Sequence, residues 1–381
     1  MTTFDAVVVG GGIAGLSAAL ALSADRRVLL LEREPLLAAH ASGRNAAIFR
    51  PLEHDATTAV LARRSLARFA ELSREPLLRR CGVLLAAATP VELEPLLAHA
   101  RVHAVECELL TGRALYTRVH VLAGGEIGAA LWLAEGGVLD IHALTSALAA
   151  RLREAGVSVR LGSGVTRVRV TRASGRTSAS ADRCVEAVEL DDGTAVSTGA
   201  VVLAAGAWGA QLGAEAGAPL PLTPLRRHLV QLEPTSATAA GVTPEQPVVW
   251  RIDGEHELYF RPESGGLLCS PCDAQAWAPG VPSSDPAALE LLAGKLARSA
   301  PALAGARVRS AWACLRTFAP DGELVVGPDP RIAGLCWLAG LGGRGMGVAL
   351  GAGELLAERL RGGGSPSHDR LAAAVTPARW L

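Results

Sequence analysis

The feature that most constrains the fold is a glycine-rich turn near the N-terminus, GGGIAG from Gly10 to Gly15. It follows FDAVVV, residues 4–9, a short apolar run that suits a buried parallel strand. After the turn, residues 14–24 are apolar enough for a buried helix, and RRVLLLE returns as a second strand that ends in Glu32. Strand, glycine turn, helix, strand and acid in this order predict the βαβ unit of a Rossmann-like dinucleotide-binding domain.

Each motif residue has a physical task in such a unit. Gly10 permits the tight turn, Gly12 lets a pyrophosphate approach the backbone, and Gly15 lets helix and strand pack closely. Glu32 can accept hydrogen bonds from ribose hydroxyls, and its charge would repel the 2′-phosphate of NADP. The motif therefore favours FAD or NAD over the alternative of ordinary turn glycines.

Two later segments help to decide between these cofactors. Residues 199–212, GAVVLAAGAWGAQL, predict a buried strand, a turn of small residues and a helix. Residues 336–360, CWLAGLGGRGMGVALGAGELLAERL, predict another strand, a glycine turn and an amphipathic helix. Nucleotide-binding segments spread over the whole chain indicate a discontinuous domain, which suits a long cofactor such as FAD better than NAD.

Composition narrows the classes of function. The 381 residues suffice for two domains, and 50% are hydrophobic, with 37 basic and 37 acidic side chains. This balance argues against disorder, nucleic-acid binding and a polybasic membrane patch, so we expect a small-molecule partner. Lys295 is the only lysine, and we expect it to be a solvated helix position rather than a Schiff-base residue.

The cysteines and the N-terminus bear on the compartment. Seven cysteines, an odd number, do not resemble a secreted disulfide framework and favour a reducing environment. The apolar N-terminal segment is interrupted by glycines, and no basic residue precedes it, so we expect neither a signal peptide nor an integral membrane segment. The expectation is a soluble cytoplasmic protein.

Several segments, taken in order, carry a resemblance to a known family. VVVGGGIAGLSAA, HASGRNAA, VLAAGAW, YFRPESGGLLCSP, LRTFAPDGELVVGP and GLGGRGMG resemble the signatures of the D-amino-acid oxidase-like FAD oxidoreductases. Within that family the chain is most similar to the D-amino-acid dehydrogenases of the D-arginine type. The resemblance implies an α/β fold with a discontinuous Rossmann-like FAD-binding domain, residues 1–50, 138–222 and 310–381. It also implies an α+β substrate domain on an antiparallel sheet, residues 51–137 and 223–309.

The resemblance implies noncovalent FAD and places cofactor contacts along the chain. In the family the segment matching HASGRNAA passes beside the flavin, and its small alanines let a helix begin there. A capped helix start with solvated polar residues is the alternative. The predicted cofactor-binding residues are Gly10, Gly12, Ile13, Ala14, Gly15, Glu32, Arg33, Ser42, Gly43, Arg44, Asn45, Ala46, Val165, Ala205, Gly206, Trp208, Gly342, Gly343, Arg344, Gly345, Met346 and Gly347.

The resemblance also implies the substrate-binding residues. Arg316 matches the family arginine that grips a substrate carboxylate, a task that suits the planar guanidinium fork; the alternative is an ion pair with Asp321. Tyr259 matches a tyrosine that closes the substrate site. Arg226 and Arg227 fall where the family has a second substrate-facing arginine, and the sequence leaves open which of the two faces inward.

Departures from the family pattern concern the substrate. An arginine, Arg344, replaces an aromatic residue in the last glycine turn, where it would raise the flavin potential, bind an anion or simply reach solvent. Ile48 and Glu53 replace a histidine and a tyrosine of the D-arginine enzymes, which argues against D-arginine itself, while Glu53 and His54 keep the cavity mouth polar.

Other reactive side chains receive simpler interpretations. We interpret Cys269 and Cys272 as a strand end rather than a redox pair, and we expect no covalent flavin on His40. His99 and His103 lack further ligands, so no metal site is predicted.

The predicted function is FAD-dependent oxidation of a D-amino acid. Hydride leaves the α-carbon for flavin N5, and the imino acid formed hydrolyses to a 2-oxo acid and ammonia. The alternatives are oxidation of a secondary amine of the sarcosine or glycine type, oxidation of a 2-hydroxy acid and, from another class, an inactive flavin-binding module. The electron acceptor stays open, although a chain with one lysine argues against oxygen activation by a lysine.

Overall fold

The structure is a computed structural model that describes residues 3–53, 55–172, 182–233, 242–243, 245–362 and 366–381. The prediction for His54 lies outside the described residues. The strands are β1 (Ala6–Val9), β2 (Val28–Leu31), β3 (Ile48–Phe49), β4 (Leu78–Arg79), β5 (Val83–Ala87), β6 (Glu108–Thr111), β7 (Ala129–Leu133), β8 (Gly137–Leu139), β9 (Ser158–Arg160), β10 (Val165–Arg172), β11 (Arg183–Leu190), β12 (Ala195–Ser197), β13 (Val201–Leu203), β14 (Thr223–Glu233), β15 (Val248–Arg251), β16 (Leu258–Glu263), β17 (Gly266–Ser270), β18 (Gln275–Ala276), β19 (Arg307–Phe318), β20 (Val325–Pro328) and β21 (Leu335–Ala339). The helices are α1 (Ile13–Leu22), α2 (Ala56–Leu72), α3 (Glu94–Val102), α4 (Gly112–Arg118), α5 (Ile141–Glu154), α6 (Gly209–Glu215), α7 (Pro286–Ser299), α8 (Gly345–Arg361) and α9 (Pro366–Val375).

A six-stranded sheet contains the predicted βαβ unit. Its order is β20-β21-β13-β1-β2-β9, and every neighbouring pair is parallel except β20 and β21. β1 and β2 are buried along their whole length, as in parallel sheets covered on both faces. α1 is apolar on nearly every side because it packs against the sheet, α5 and α8. The predicted α/β fold is confirmed.

A second, larger sheet has nine strands. Its main path is β18-β14-β17-β16-β15-β5-β7-β6, with β19 paired to β14, and its described pairs are antiparallel except β15 with β5. β19 crosses the predicted boundary at residue 310 and is paired with β14 over most of its length, with Leu225 opposite Arg316. The domain boundaries stay a prediction.

The segment after the glycine turn differs from the expectation. A helix was expected to begin at its alanines, but Ala47 has a φ of 58°, outside the helical range, and the two-residue strand β3 follows. β3 pairs with β8, and β8 with β4, in a small antiparallel sheet. The chain is therefore extended where it passes from one large sheet towards the other.

The described helices differ in their surroundings. In the largest hydrophobic core α1 packs against α5 and α8, and α2 packs against α8 and α5. This core continues to the nine-stranded sheet through residues such as Leu85 and Tyr259. No helix in the described ranges is both long enough and apolar enough to span a membrane.

Candidate active site

One cavity of about 770 Å³ extends from the six-stranded sheet to the nine-stranded sheet. On one side it is lined by the carboxyl ends of β1, β2, β13 and β21, the edge at which α/β sheets bind ligands. On the other side it is lined by residues of β15, β16 and β19. The two predicted sets of residues, for cofactor and for substrate, thus have members in one cavity.

The glycines of the first turn have different environments. Gly10 has a φ of 110°, and a Cβ there would lie 2.6 Å from the Ala204 carbonyl oxygen. A Cβ on Gly15 would lie 1.8 Å from the Gly10 carbonyl oxygen, so Gly15 serves helix packing and does not line the cavity. Gly12 lines the cavity, and the atom nearest to its Cβ position is Ser42 Oγ at 3.1 Å. Of the three, Gly12 leaves room for a close ligand.

Glu32 is the acid at the end of β2. It is 7% exposed, and its carboxylate accepts hydrogen bonds from Gly11 N at 2.6 Å and Glu34 N at 2.8 Å. A carboxylate has about four acceptor sites, so two remain for a ligand in the cavity that it lines.

Arg33 and His40 form a side wall with Trp208 near this acid. The Arg33 guanidinium lies 4.5 Å from the Trp208 ring centroid, and the His40 ring centroid lies 4.9 Å from it. His40 Nε2 is 2.9 Å from Glu34 Oε1. All four side chains belong to residues that line the cavity, and Glu34 was missed although it follows Glu32 by two positions.

The segment HASGRNAA is a turn held by its own side chains. Ser42 Oγ accepts from Ile13 N at 2.9 Å, so it caps α1 rather than a helix of its own. Asn45 donates to Ser42 O at 2.7 Å and accepts from Ala47 N at 2.7 Å. Arg44 is exposed where the segment lines the cavity, whereas Gly43 does not line it.

The residues of the last glycine turn, 342–347, differ in whether they line the cavity. Gly342, Gly343, Gly345 and Met346 line the cavity, as do Ile13, Ala14, Ala46, Val165, Ala205 and Gly206 elsewhere in the chain. Gly347 does not line it and faces the Phe49 ring.

Arg344 also stays outside the cavity. Its guanidinium donates to Asp55 at 2.8 Å, to Thr58 Oγ1 at 2.9 Å and to the Gly322 carbonyl. Neither expectation for Arg344, a cavity cation or a solvated side chain, matches this contact, which joins the start of α8 to the start of α2.

Arg316 is the buried cation of the cavity wall. It is 6% exposed, and its terminal nitrogens donate to Gly343 O and Tyr259 Oη, each at 3.4 Å. Its Nε is buried without an acceptor, and within the described residues no carboxylate forms an ion pair with it. The alternative partner, Asp321, is paired with Arg379 at 2.8 Å.

Trp250 and Tyr259 form an aromatic corner beside Arg316. They lie opposite each other on β15 and β16, with ring centroids 4.7 Å apart. The Arg50 guanidinium covers the Trp250 ring at 4.0 Å, and Trp250 Nε1 donates to Glu257 at 3.0 Å. Burial raises the pKa of Tyr259, so its phenol stays protonated at neutral pH. Trp250 was not predicted, because its place beside Tyr259 depends on the pairing of β15 with β16.

The substrate end of the cavity is lined by the aromatic corner together with Arg316 and Cys314. Among the described residues, the carboxylates that line the cavity are Glu32, Glu34 and Asp191, and none belongs to this end. Arg33 and His40 line the cavity beside Glu32 and Glu34, so the end at the βαβ unit carries charges of both signs, whereas the substrate end has the positive charge of Arg316.

Arg226 and Arg227 do not line the cavity. Arg226 donates to Asp285 at 2.7 Å and stacks on Trp277 at 4.1 Å. Arg227 extends from the opposite face of β14 and donates to Asp273 O at 3.0 Å. Both arginines hold the loop of residues 272–285, of which residues 280–282 line the cavity.

The remaining reactive groups are held inside the protein. Burial raises the pKa of Cys269 far above its usual range and that of Cys272 to about 12, so both stay as thiols. Lys295 is half-buried and donates to Glu257 O and Pro271 O, each at 2.8 Å, so the expectation of a solvated lysine was wrong.

Comparison with known proteins extends these observations. A family model described as FAD dependent oxidoreductase matches residues 5–359. The chain is 30% identical, over 97% of its length, to 4-methylaminobutanoate oxidase (formaldehyde-forming) of Paenarthrobacter nicotinovorans, of which it covers 45%. It is 30% identical, over 58% of its length, to a D-amino acid dehydrogenase of Cereibacter sphaeroides, of which it covers 47%.

A solved structure shares the whole fold. L-proline dehydrogenase from P. horikoshii has a TM-score of 0.85 and 21% identity, over 99% of this chain and 98% of that chain. This likeness concerns the fold alone. The chain spans less than half the length of the two curated relatives.

Proposed function

The chain belongs to the family of FAD dependent oxidoreductases, and from this premise we propose that it oxidises the C–N bond of an amine or amino acid that carries a carboxylate. The match over residues 5–359 confirms the family predicted from the sequence, and with it FAD as the cofactor. When bound, FAD supplies the acceptor for the hydride that leaves the carbon atom.

The residues of the βαβ unit fit this cofactor. Gly12 leaves space for a pyrophosphate at the start of α1, where the positive end of the helix dipole favours an anion. Glu32 keeps acceptor sites for ribose hydroxyls, and its charge disfavours a 2′-phosphate. These contacts are proposals for individual residues, and they agree with a cavity that extends from the six-stranded sheet to the nine-stranded sheet.

The observation that carries the substrate proposal is the buried guanidinium of Arg316, which has no counter-ion in the part of the chain that the structure describes. A buried charge without a counter-ion is costly, and the Nε hydrogen has no acceptor. A substrate carboxylate would supply both the charge and the acceptors through a two-point contact. Arg316 would thereby fix the substrate by one end and orient its C–N bond.

Tyr259 would assist in this grip. Its oxygen accepts from Arg316, and because burial raises the pKa of the phenol, its hydrogen stays available as a donor. A protonated phenol can donate to the second carboxylate oxygen or to the amine nitrogen. Tyr259 and Arg316 would then hold one substrate between a cation and a neutral donor.

We propose a D-amino acid as the first substrate. Loss of hydride from the α-carbon and of a proton from nitrogen leaves a C=N bond, which water hydrolyses to a 2-oxo acid and ammonia. An N-methylated amino acid is the second candidate. The match to 4-methylaminobutanoate oxidase extends over 97% of the chain, whereas the match to the D-amino acid dehydrogenase extends over 58%.

Anaerobic absorbance spectroscopy tests the proposal. D- and L-amino acids, N-methylated amino acids and 2-hydroxy acids are added separately to the purified yellow protein, with an R316M variant as control. Bleaching by amines in the wild type and not in R316M supports the proposal, and the preferred amine separates the two candidates. Bleaching by 2-hydroxy acids alone would refute C–N oxidation, and no bleaching by any compound would favour an inactive flavin-binding module.

A further inference from the structure

We propose that the substrate end of the cavity accepts amino carboxylates whose remaining substituent is uncharged and rejects those whose substituent carries an ammonium or guanidinium group. This inference deepens the proposed function and rests on it. It concerns the part of the substrate that lies beyond the carboxylate and the reacting C–N bond, for which Trp250 provides the main surface.

Arg316 lines this end of the cavity, and the cations Arg50, Arg227 and Lys295 lie outside its lining. Arg316 lines it without a counter-ion among the described residues, and Arg50 lies 4.0 Å from the Trp250 ring centroid. Arg227 donates to Cys272 O at 3.4 Å and Lys295 donates to Pro271 O at 2.8 Å, so both cations are held at the segment that follows β17. A substrate carboxylate would neutralise Arg316, and a further positive charge on the substrate would meet no carboxylate among the described residues that line this end.

The nearby carboxylates already have partners and do not line the cavity. Glu53 is paired with Arg50 at 2.6 Å, and Glu257 accepts from Trp250 Nε1 at 3.0 Å. Asp273 is paired with His228 at 2.7 Å. Within the described ranges, then, the substrate end has no free acid to pair with an ammonium or guanidinium tail.

Trp250 does not compensate for this lack. An indole ring attracts cations through its face, but one face is already covered by the Arg50 guanidinium. Tyr259 and Glu257 fix the ring from two further sides. What Trp250 offers a ligand is an apolar surface, which suits an alkyl or aryl substituent on the α-carbon or on the nitrogen.

The test compares ligands that differ by one charge. In the wild type, norleucine is compared with lysine and citrulline with arginine, each as both enantiomers, by the rate of anaerobic flavin bleaching. Binding is compared separately for hexanoate and 6-aminohexanoate, through the change each causes in the flavin spectrum without turnover. We expect the neutral member of each pair to be favoured by roughly 10²-fold or more, since an unpaired charge must lose its water.

A double variant assigns the effect to Arg50. R50M/E53Q removes both charges behind Trp250 without leaving one of them unpaired, and it should narrow the preference by about 10-fold because the ring face is freed. R68M/E354Q is the matched control, because it removes an ion pair between α2 and α8 that does not line the cavity. Its preference should equal that of the wild type.

The outcomes separate the two levels of proposal. Equal binding of hexanoate and 6-aminohexanoate, or bleaching by lysine or arginine as fast as by the neutral partner, would overturn the charge preference. If hexanoate binds preferentially but no amine bleaches the flavin, the charge preference stands and the proposed reaction fails. An unchanged preference in R50M/E53Q would remove Arg50 from the explanation and overturn that part.

Discussion

Two buried arginines of the nine-stranded sheet, Arg251 and Arg316, differ in whether their charge is compensated by neighbouring side chains. Arg251, at the end of β15, is 1% exposed and is contacted by Asp253 at 2.6 and 2.7 Å, Ser299 at 2.8 Å and Glu126 at 3.3 Å. Arg316, on β19, is 6% exposed, and its hydrogen bonds are two contacts of 3.4 Å to uncharged oxygens. Burial is nearly the same, but of the two only Arg251 has counter-ions among the residues that the structure describes.

The difference indicates separate roles. A buried charge that is paired and hydrogen-bonded is tolerated, whereas an unpaired one lowers stability. Arg251 joins β15 to a turn and to the end of α7, which are structural contacts. Arg316 faces a cavity, so its missing counter-ion is expected from a ligand. The comparison predicts opposite consequences when each arginine is removed.

The largest expected effect is on catalysis in R316M. We expect kcat/KM to fall by roughly 10³-fold or more, because the carboxylate loses its partner and the C–N bond its orientation. Thermal stability should stay equal or rise, because an unpaired buried charge is removed. A substrate-like carboxylate should raise the Tm of the wild type but not of R316M. If R316M no longer bound flavin, or if its Tm were lower than that of the wild type, the assignment of Arg316 to ligand binding would be contradicted.

The second prediction reverses this pattern in R251M. Its carboxylate partner Asp253, of which the side chain is 8% exposed, would be left without its counter-ion, so we expect the free energy of unfolding to fall by about 3–5 kcal/mol. The flavin spectrum and KM of the folded fraction should be unchanged, because Arg251 does not line the cavity. Urea unfolding measures the first quantity and steady-state kinetics the second. A stable R251M with altered KM would break the comparison.

Of these two arginines, only Arg316 could be predicted as a site residue from the sequence, because it lies in a recognisable local pattern. The segment around Arg316 and the glycine turn carry local patterns, since a turn with φ of 110° at Gly10 requires glycine whatever the rest of the fold does. Trp250 has no such pattern. It was missed because its place beside Tyr259 depends on the pairing of two strands, which the sequence of neither strand specifies.

Arg226 and Arg227 show the same limit. Adjacent strand residues point to opposite faces, but which face carries the cavity depends on the neighbouring strands. Arg344 was misjudged for a related reason, since its partner Asp55 is distant in sequence and meets it only through helix packing. Local backbone requirements can thus be predicted, whereas partners of charged side chains need the tertiary structure.

A smaller effect is expected at Arg226, which is paired like Arg251 but holds a loop of the cavity wall. R226M removes the contacts to Asp285 and to Gln275, at 2.7 and 2.5 Å, and so loosens residues 272–285. We expect KM to rise several-fold with kcat nearly unchanged, because residues 280–282 line the cavity without belonging to its substrate end. R226K, which keeps the charge, should lie between R226M and the wild type. A loss of kcat comparable to that of R316M would place Arg226 with the binding arginine instead.

The smallest expected effect concerns a fourth arginine, Arg50, whose partner Glu53 is itself buried. Burial raises the pKa of Glu53, although Arg50 and Arg344 oppose the shift. The folded protein therefore binds this proton more tightly than the unfolded chain, in which the pKa is about 4.3. The stability contributed by Glu53 is complete below that pH and declines as the pH rises through the folded-state pKa.

The free energy of unfolding of the wild type minus that of E53Q should therefore decrease as the pH rises above about 4. D321N is the control with the opposite sign. Burial raises the pKa of Asp321, but its hydrogen bonds with Arg379 outweigh this effect and lower it, so its contribution should grow as the pH rises. Urea unfolding at several pH values measures both differences. Parallel slopes for E53Q and D321N would mean that Arg50 compensates the charge of Glu53 as completely as Arg379 does that of Asp321, and Arg50 would then belong with Arg251.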